Sequence, residues 1–284
     1  MTTALDFDST RRTAHVGELE ISYHEAGTGE PLLLLHGSGP GVSAWSNFGA
    51  NLPVLAERFR VIMPDMPGFG RTALPEIDAL YSVFASRWVE GLLDALGVES
   101  AYVIGNSMGG NVAAELADRS PERVRKMALM GPGGLAVNLF GSDPSEGAKR
   151  LFEFLNEPSR AGMLAWVETM VADPAIITER LIDERMANAL APGAIERSSA
   201  IFATFRDPRF MTDHTPLWAR AARIHTPTLL IWGREDRMLP YEQAHFAVRQ
   251  MPDVELHTFA RCGHWAQIER KQEFERLVTE FFTR

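Results

Sequence analysis

The hexapeptide Gly-Asn-Ser-Met-Gly-Gly at residues 105–110 constrains the fold of this chain more than any other segment. It follows a short apolar run at 101–104 and precedes a helical pattern that begins at Asn111. A serine between glycines at a strand-to-helix turn is typical of a nucleophile elbow, because the glycines allow a turn so sharp that the hydroxyl projects from it. The sequence therefore predicts that Ser107 is presented for nucleophilic attack at the N-terminus of a helix.

A base and an orienting acid follow later in the chain. A serine hydroxyl is a weak nucleophile, so an imidazole must accept its proton and a carboxylate must fix the imidazole tautomer. Asp236 follows a buried strand pattern at 228–232, and His264 follows the last strand pattern at 254–259. The order Ser107, Asp236, His264 is that of α/β-hydrolases and differs from the orders in the chymotrypsin and subtilisin folds. These residues are the predicted catalytic triad.

Both partners of Ser107 have competitors in the sequence. Glu235 precedes Asp236, and a loop acid after a strand is commonly a solvated turn former; Asp236 is favoured because it lies farther from the strand end. His264 is favoured because it alone stands in a loop behind the final strand. His36 ends a strand and fits a position behind the site. The remaining histidines fit surface or packing positions: His15, His24, His214, His225, His245 and His257.

A second glycine-rich loop follows a continuous apolar run at 31–35, a pattern typical of a strand buried on both faces. The loop is His-Gly-Ser-Gly-Pro-Gly at 36–41. A backbone amide there, that of Ser38, can join the amide of Met108 to stabilise a tetrahedral oxyanion. The alternative is a glycine-rich hairpin that binds no ligand. Gly37 and Gly39, which flank Ser38, are predicted to contact the substrate.

Composition excludes several classes of partner. The net charge of −9 and the pI near 5.4 argue against nucleic acid and anionic membranes as partners. The single cysteine, Cys262, excludes an internal disulfide framework; we interpret it as a packing residue in a reducing compartment. The N-terminus lacks a signal-peptide core and no 18-residue apolar run occurs, so we expect a cytoplasmic protein. No metal-ligand spacing, phosphate loop or dinucleotide fingerprint is present, so neither metal nor cofactor is predicted.

The order of apolar patterns predicts an α/β fold. With 284 residues the chain is long enough for one large core plus an insertion. We expect an α/β-hydrolase fold, in which a mostly parallel eight-stranded sheet is flanked by helices and a helical cap is inserted over Ser107. The predicted core comprises 1–135 and 209–284, and the predicted cap comprises 136–208. Strands are predicted at 17–24, 32–36, 60–64, 101–105, 125–130, 228–232 and 254–259, core helices at 83–96, 108–118, 240–250 and 271–283, and cap helices at 146–155, 160–171, 176–190 and 194–205.

Several motifs together resemble those of one family, the meta-cleavage product hydrolases. These α/β-hydrolases break a carbon–carbon bond in 2-hydroxy-6-oxohexa-2,4-dienoates during the degradation of aromatic compounds. The similarity runs over nearly the whole chain, and the motifs are far more specific than a Gly-x-Ser-x-Gly pentapeptide alone. They are HGSGPG at 36–41, PDMPGFG at 64–70, GNSMGG at 105–110, LMGPGG at 129–134, GRED at 233–236 and CGHWAQ at 262–267.

The resemblance assigns roles to further residues. It implies the triad and oxyanion amides named above, a small anionic dienoate as substrate, and a homodimer or larger homo-oligomer. It also implies that Asn47 and Asn106 bind the dienoate end and that Trp265 lines the pocket. Arg185 would contact the substrate and assist its ketonisation. A guanidinium suits this role because an anionic substrate in an acidic protein needs a local positive group.

These residues also have plain structural interpretations. Arg185 lies beside Glu184 and fits a surface ion pair, Asn47 fits a helix cap, and Trp265 fits a core position. Met170 stands where biphenyl-type members of the family usually carry a bulky aromatic residue in the cap. Methionine is adaptable, so we expect a wider or differently shaped pocket for the C6 substituent, which is predicted to be an aryl group.

Other activities remain possible on the same fold. A carboxylesterase uses the same triad and oxyanion site, and a cofactor-free oxygenase belongs to a different class of chemistry. A catalytically silent binding protein is disfavoured because every predicted catalytic segment is intact. A haloalkane dehalogenase is disfavoured because that reaction needs a carboxylate nucleophile where Ser107 stands.

Overall fold

A computed structural model of the chain describes residues 5–136, 144–211 and 215–284. In this part of the chain an eight-stranded sheet has the order β1-β2-β4-β3-β5-β6-β7-β8. β1 and β2 pair antiparallel with each other, β2 also pairs antiparallel with β4, and all other pairs are parallel. The strands are β1 Arg11–Val16, β2 Leu19–Ala26, β3 Glu30–Leu35, β4 Phe59–Pro64, β5 Ala101–Asn106, β6 Val124–Met130, β7 Thr228–Gly233 and β8 Val254–Phe259.

The order of strands determines where a ligand can bind. β3 lies between β4 and β5, so the chain adds strands on one side of β3 and then on the other. In open α/β sheets ligands bind outside the carboxyl ends of the strands at such a reversal point. The loop at 36–41 follows β3 and the Ser107 turn follows β5. Both predicted site segments therefore leave the sheet at the reversal point.

The central strands are buried on both faces, as their continuous apolar sequences predict. Leu32, Leu33, Leu34 and Leu35 of β3 are all 0% exposed. Alternate residues enter opposite hydrophobic clusters, since Leu33 and Leu35 pack in one cluster and Leu32 and Leu34 pack in the other. The sheet therefore separates two cores, each covered by helices, and the predicted α/β-hydrolase architecture is confirmed.

Helices flank the sheet, and several short ones had no predicted counterpart. The long core helices α4, α5, α12 and α14 agree with the predicted patterns within a few residues. The helices of the described ranges are α1 Phe7–Thr10, α2 Ala44–Phe48, α3 Leu52–Leu55, α4 Tyr81–Ala95, α5 Met108–Arg119, α6 Glu146–Asn156, α7 Arg160–Val167, α8 Glu179–Ala189, α9 Ala194–Ala203, α10 Pro208–Met211, α11 Leu217–Arg220, α12 Glu242–Gln250, α13 Ala266–Glu269 and α14 Lys271–Thr283.

The first strand escaped prediction, and the second was placed too early. β1 is an edge strand without a fully buried residue, so it lacks the apolar alternation by which a strand is detected. Gly17 has φ 57° in the turn between β1 and β2, so the strand predicted at 17–24 begins only at Leu19. A glycine in this conformation is typical of a tight turn rather than a strand.

Helices α6 to α9 lie between β6 and β7, where the sequence predicts the cap. They form a hydrophobic cluster of their own that includes Phe154, Trp166 and Ile182 and reaches Trp265 behind β8. The helix predicted at 160–171 ends at Val167, because residues 170–172 hydrogen-bond to the His264 loop instead of extending the helix. The domain boundaries at 136 and 209 stay predictions, and residues 137–143 at the start of the predicted cap lie outside the described ranges.

Candidate active site

Ser107 lies on a sharp turn between β5 and α5. Its backbone has φ 54° and ψ −115°, in a region that residues other than glycine rarely adopt. Hydrogen bonds hold the turn: its N–H donates to the Met130 carbonyl at 2.8 Å, and its carbonyl accepts from Asn111 and Gly133 at 3.1 Å each. Strain of this kind persists only where the surroundings enforce it, and it is typical of a nucleophile elbow.

The structure brings Asp236 rather than Glu235 to His264. His264 Nδ1 lies 2.7 Å from Asp236 Oδ2, and both side chains are almost completely buried. Asp236 Oδ1 accepts the N–H groups of Met238 and Leu239 at 2.8 Å each. The carboxylate is therefore held by several donors and can fix the imidazole with its Nδ1–H toward the acid, which leaves Nε2 free to accept a proton.

One short segment joins the serine turn to this His–Asp pair. Met130 at the end of β6 accepts the Ser107 N–H. The next residue, Gly131, packs so closely on the pair that a Cβ atom there would lie 3.1 Å from both Asp236 Oδ2 and His264 Nδ1. Ser107, Asp236 and His264 therefore gather at the same end of the sheet.

The loop at 36–41 lies against the serine turn. A Cβ atom at Gly37 would lie 2.9 Å from Asn106 Oδ1 and 3.4 Å from Ser107 Cβ, so only glycine allows the loop this close. Ser38 follows and is half-buried. Met108 is the first residue of α5, where helix amides have no acceptor within the helix. The loop and the start of α5 thus lie close together, and the amides of Ser38 and Met108 stay the predicted oxyanion site.

His36 anchors the same loop from behind and stays neutral. Its Nε2 accepts the Met66 N–H at 3.0 Å, so the proton is on Nδ1, which donates to the Gly37 carbonyl at 2.7 Å. Complete burial lowers the pKa of His36 to about 4. With both nitrogens engaged, His36 cannot act as a base for Ser107.

Two asparagines form a buried chain beside Ser107. Asn47 Nδ2 donates to Asn106 Oδ1 at 3.4 Å, and Asn106 Nδ2 donates to the Met130 carbonyl at 3.4 Å. Asn47 lies inside α2 rather than at its cap, which is Ser43. Asn47 Oδ1 is buried and accepts no hydrogen bond from the described part of the chain. Such a group is costly unless a ligand or water satisfies it.

Arg185 of α8 is a buried cation and not the surface ion pair that its neighbour Glu184 allowed. Its side chain is 2% exposed, and Nη1 donates to the Pro40 carbonyl at 3.3 Å. The guanidinium carbon lies 4.5 Å from the Trp265 ring centre and 5.5 Å from that of Trp166. Burial lowers the pKa of Arg185 to about 10, which still leaves it charged at neutral pH.

Arg185 has no counter-charge in the part of the chain that the structure describes. Within residues 5–136, 144–211 and 215–284, no carboxylate forms an ion pair with it, and Arg185 Nε has no hydrogen-bond acceptor. A buried charge is normally paired, because removing it from water is costly. The position is therefore suited to an anionic ligand beside the 36–41 loop.

Two tryptophan rings flank this cation, and Met170 belongs to the same hydrophobic cluster as these rings. Trp166 and Trp265 meet edge to face at 6.3 Å between ring centres. Gly39 lies against the Trp166 ring, where a Cβ atom would be 2.6 Å from the indole. Met170 is buried in the same cluster, and its carbonyl accepts the His264 N–H at 2.8 Å. The predicted pocket residues of the cap thus lie together next to the His264 loop.

Some residues play parts that the sequence did not reveal. Glu269 carries no motif signal, yet its carboxylate accepts the N–H groups of Gly263 and Ala172. Cys262 is buried, and burial raises the pKa of its thiol, which agrees with a packing role.

His214 lies outside the described ranges. Among the described residues, no group of histidine, cysteine and acidic side chains is arranged to hold a metal ion, and no helix is long and apolar enough to cross a membrane.

The chain is similar to known proteins over most of its length. The α/β-hydrolase fold family matches residues 30–271. A 2-hydroxy-6-oxo-6-phenylhexa-2,4-dienoate hydrolase from Burkholderia cepacia is 39% identical over 94% of this chain and 92% of its own length. A solved structure of a meta-cleavage product hydrolase from Pseudomonas fluorescens IP01, a single-residue mutant complexed with acetates, superposes with a TM-score of 0.85 and 34% identity, covering 97% of this chain and 98% of the other. The chain belongs to the meta-cleavage product hydrolases.

Relatives within the meta-cleavage product hydrolases differ in their substrates. A 2-hydroxy-6-oxononadienedioate/2-hydroxy-6-oxononatrienedioate hydrolase from Comamonas testosteroni is 38% identical over 94% of this chain and 92% of its own length. Its named substrates carry a second carboxylate, whereas the named substrate of the Burkholderia enzyme carries a phenyl group. Overall identity is almost equal, so the substrate of this meta-cleavage product hydrolase has to be argued from its own pocket.

Proposed function

We propose that this protein hydrolyses a carbon–carbon bond in a 6-aryl 2-hydroxy-6-oxohexa-2,4-dienoate. The products are 2-hydroxypenta-2,4-dienoate and an aromatic carboxylic acid such as benzoate. The observation that carries the proposal is the buried Arg185, which forms no ion pair with any described residue and lies next to a loop that contacts Ser107. An esterase for neutral substrates has no use for such a cation, whereas the dienoate carboxylate matches it.

The first step prepares the substrate for bond cleavage. The leaving carbon must hold negative charge, so the dienol at C2 first becomes a ketone that can accept electrons. The 2-hydroxyl loses its proton and C5 gains one, which leaves the number of protons unchanged. Arg185 stabilises the anionic end of the substrate during this shift, and the buried amide of Asn47 supplies an acceptor that is otherwise unpartnered.

The second step breaks the bond between C5 and C6. His264 Nε2 takes the proton of Ser107, whose oxygen attacks the C6 ketone, and the amides of Ser38 and Met108 hold the resulting oxyanion. Collapse of this intermediate breaks the bond and moves its electron pair through C5 onto the C2 oxygen. His264 returns a proton to the leaving dienoate. Water then hydrolyses the acyl group on Ser107 by the same proton transfers.

The charge distribution favours an aryl over a carboxylate-bearing C6 substituent. Among the residues that the structure describes, Arg185 is the one lysine or arginine that is buried. The residues outside the described ranges include no lysine or arginine. A dioate substrate would bring a second carboxylate with no cation inside the protein to pair it. Met170 and the two indoles supply apolar surface in its place.

The proposal is tested by comparing substrates in stopped-flow absorbance with product analysis. We expect kcat/KM for the 6-phenyl dienoate to exceed that for the 6-methyl dienoate and for 2-hydroxy-6-oxononadienedioate by about tenfold or more, as one pocket contact of 1–3 kcal/mol implies. Benzoate should appear as the yellow dienolate disappears. Rapid turnover of 4-nitrophenyl acetate without dienoate cleavage would identify a carboxylesterase, and oxygen consumption without hydrolysis would identify an oxygenase.

The role of Arg185 gives a sharper prediction. Replacing Arg185 by glutamine should lower kcat/KM for the phenyl dienoate about 100-fold, because a charged hydrogen bond to the carboxylate is lost. The ester 4-nitrophenyl acetate has no carboxylate and serves as the matched control substrate. Its kcat/KM should change less than about threefold. Equal losses on both substrates would show that Arg185 only supports the fold.

Two further properties remain predictions. A homodimer or larger homo-oligomer is supported by the resemblance to the family. A cytoplasmic location is supported by the single buried thiol, since a reducing compartment keeps such a cysteine free.

A further inference from the structure

The loop that carries His264 is held by two glutamates outside the predicted triad. Cys262 N–H donates to Glu235 Oε2 at 3.0 Å, and Gly263 N–H donates to Glu269 Oε1 at 2.7 Å. These are the two amides directly before His264. Glu235 belongs to the same loop as Asp236, so its bond stays within the core. Glu269, at the end of α13, behaves differently.

Glu269 also reaches the segment that follows α7. Its Oε2 accepts the Ala172 N–H at 2.7 Å. Two residues earlier, the Met170 carbonyl accepts the His264 N–H at 2.8 Å. Two links therefore join the segment at 170–172 to the His264 loop. One is the direct hydrogen bond from His264 N–H to the Met170 carbonyl, and the other runs from Ala172 through the Glu269 carboxylate to Gly263.

Close packing reinforces these hydrogen bonds. A Cβ atom at Gly263 would lie 2.7 Å from the Met170 carbonyl oxygen and 2.9 Å from the Val171 Cα atom. The two backbones are thus in direct contact, with no room for a side chain between them. Met170 and Val171 are both buried. A shift of the Met170 segment must therefore move the His264 loop as well.

We propose that Glu269 is a positioning residue that locks the His264 loop to the pocket segment at 170–172, so that the base and the pocket wall keep one fixed spacing. The proposal rests on His264 acting as the base in the proposed function. Glu269 acts through hydrogen bonds to backbone groups and does not touch the substrate. Burial raises the pKa of its carboxyl, and the amide donors oppose this shift, so the side chain is suited to accept rather than to donate.

Glutamine is the most direct substitution. It has the same shape, but one carboxylate oxygen becomes an NH₂ group that faces a backbone N–H instead of accepting from it. Either Gly263 or Ala172 then loses its acceptor, and the loop and the segment can move apart. A displacement of about 1 Å at a reacting group can lower the rate about 100-fold. We therefore expect E269Q to lower kcat about 10- to 100-fold, with a smaller change in KM.

The decisive experiment combines E269Q with His264→Ala. If Glu269 works through His264, E269Q should lower the residual kcat of the His264→Ala protein less than about twofold. The low-field proton of His264 Nδ1–H in NMR spectra should broaden or shift in E269Q. Equal losses in both backgrounds, or an unchanged Nδ1–H signal with full activity, would overturn the proposal.

Glu275→Gln is the matched control. Glu275 is also a buried glutamate, but its partners here are side chains rather than backbone amides: it accepts from Asn51 Nδ2 at 3.0 Å and pairs with Lys271 at 2.6 Å. It should lower the thermal unfolding midpoint without moving the His264 signal or kcat. If E269Q does not fold, Glu269→Asp keeps the charge and shortens the reach, and the same background-dependent loss is expected.

The proposed substrate and the role of Glu269 can fail separately. The cycle is measured on both the phenyl dienoate and 4-nitrophenyl acetate, because ester hydrolysis needs the same base. Absence of dienoate cleavage by the wild type would reject the proposed function. The role of Glu269 would then be tested by the double-mutant cycle measured on 4-nitrophenyl acetate. Non-additive losses on the ester would then still support the positioning role.

Discussion

Replacement of Ser107 by alanine is expected to lower kcat for the phenyl dienoate about 10⁵- to 10⁶-fold, since loss of a serine nucleophile removes the covalent route entirely. The structure adds a reason to expect so large an effect. Ser107 lies at φ 54° on a turn held by backbone hydrogen bonds to Met130, Asn111 and Gly133, so alanine can keep the turn and remove only the nucleophilic hydroxyl. The measurement is benzoate release at saturating substrate, together with stopped-flow absorbance of the yellow dienolate.

The same variant separates the two proposed steps. Arg185 and the Asn47–Asn106 pair remain in place, so the substrate should still bind and an uncleaved species should accumulate. Ser120→Ala serves as control, because Ser120 is a buried serine at the far end of α5. Its kcat should stay within about twofold of wild type, as expected for a side chain outside the site. Retention of more than a few per cent of cleavage by Ser107→Ala would contradict a covalent serine mechanism.

The order of chemical groups along the chain was predictable because each is tied to local backbone chemistry. Ser107 requires a strand-to-helix turn with glycines, and the Gly37 loop requires close approach of two backbones. Both requirements appear as glycines at fixed spacing. Asp236 could be preferred over Glu235 only by its distance from the strand end, and in the structure it is Asp236 whose carboxylate lies 2.7 Å from His264 Nδ1.

What the sequence could not reveal depends on contacts between distant segments. β1 has no buried stripe, so it becomes a strand only by pairing with β2. The helix predicted through Val171 ends at Val167 because its last polar groups find partners near His264. Glu269 looks like an ordinary surface acid in the sequence, and its role appears only where three segments meet. Tertiary hydrogen bonds override local propensity in each case.

The environment of Arg185 shows the same limit for function. In the sequence, an arginine beside Glu184 fits a surface ion pair. In the structure Glu184 pairs with Arg180, and Arg185 turns inward between two indole rings. Helix periodicity alone could not decide between these faces. The resemblance to the family supplied the role. Its physical support is that Arg185 is buried with no counter-charge among the described residues.

Asp236→Asn is expected to lower kcat about 10⁴-fold, the loss typical when the acid of a serine triad becomes an amide. The geometry determines which way the new amide must face. Asp236 Oδ1 accepts two backbone N–H groups, from Met238 and Leu239, so the asparagine oxygen has to stay there. Its NH₂ group then occupies the Oδ2 position, 2.7 Å from His264 Nδ1.

An NH₂ group at that position reverses the chemistry of His264. It donates to Nδ1, so the ring proton moves to Nε2, and His264 can no longer accept the proton of Ser107. The loss should therefore fall on kcat for both the dienoate and the ester, with little change in the thermal unfolding midpoint. Asp118→Asn is the control, because Asp118 is a buried aspartate paired with Arg220 on the far end of α5. It should destabilise the protein and leave kcat unchanged, whereas similar kinetic losses in the two variants would mean that Asp236 matters only for folding.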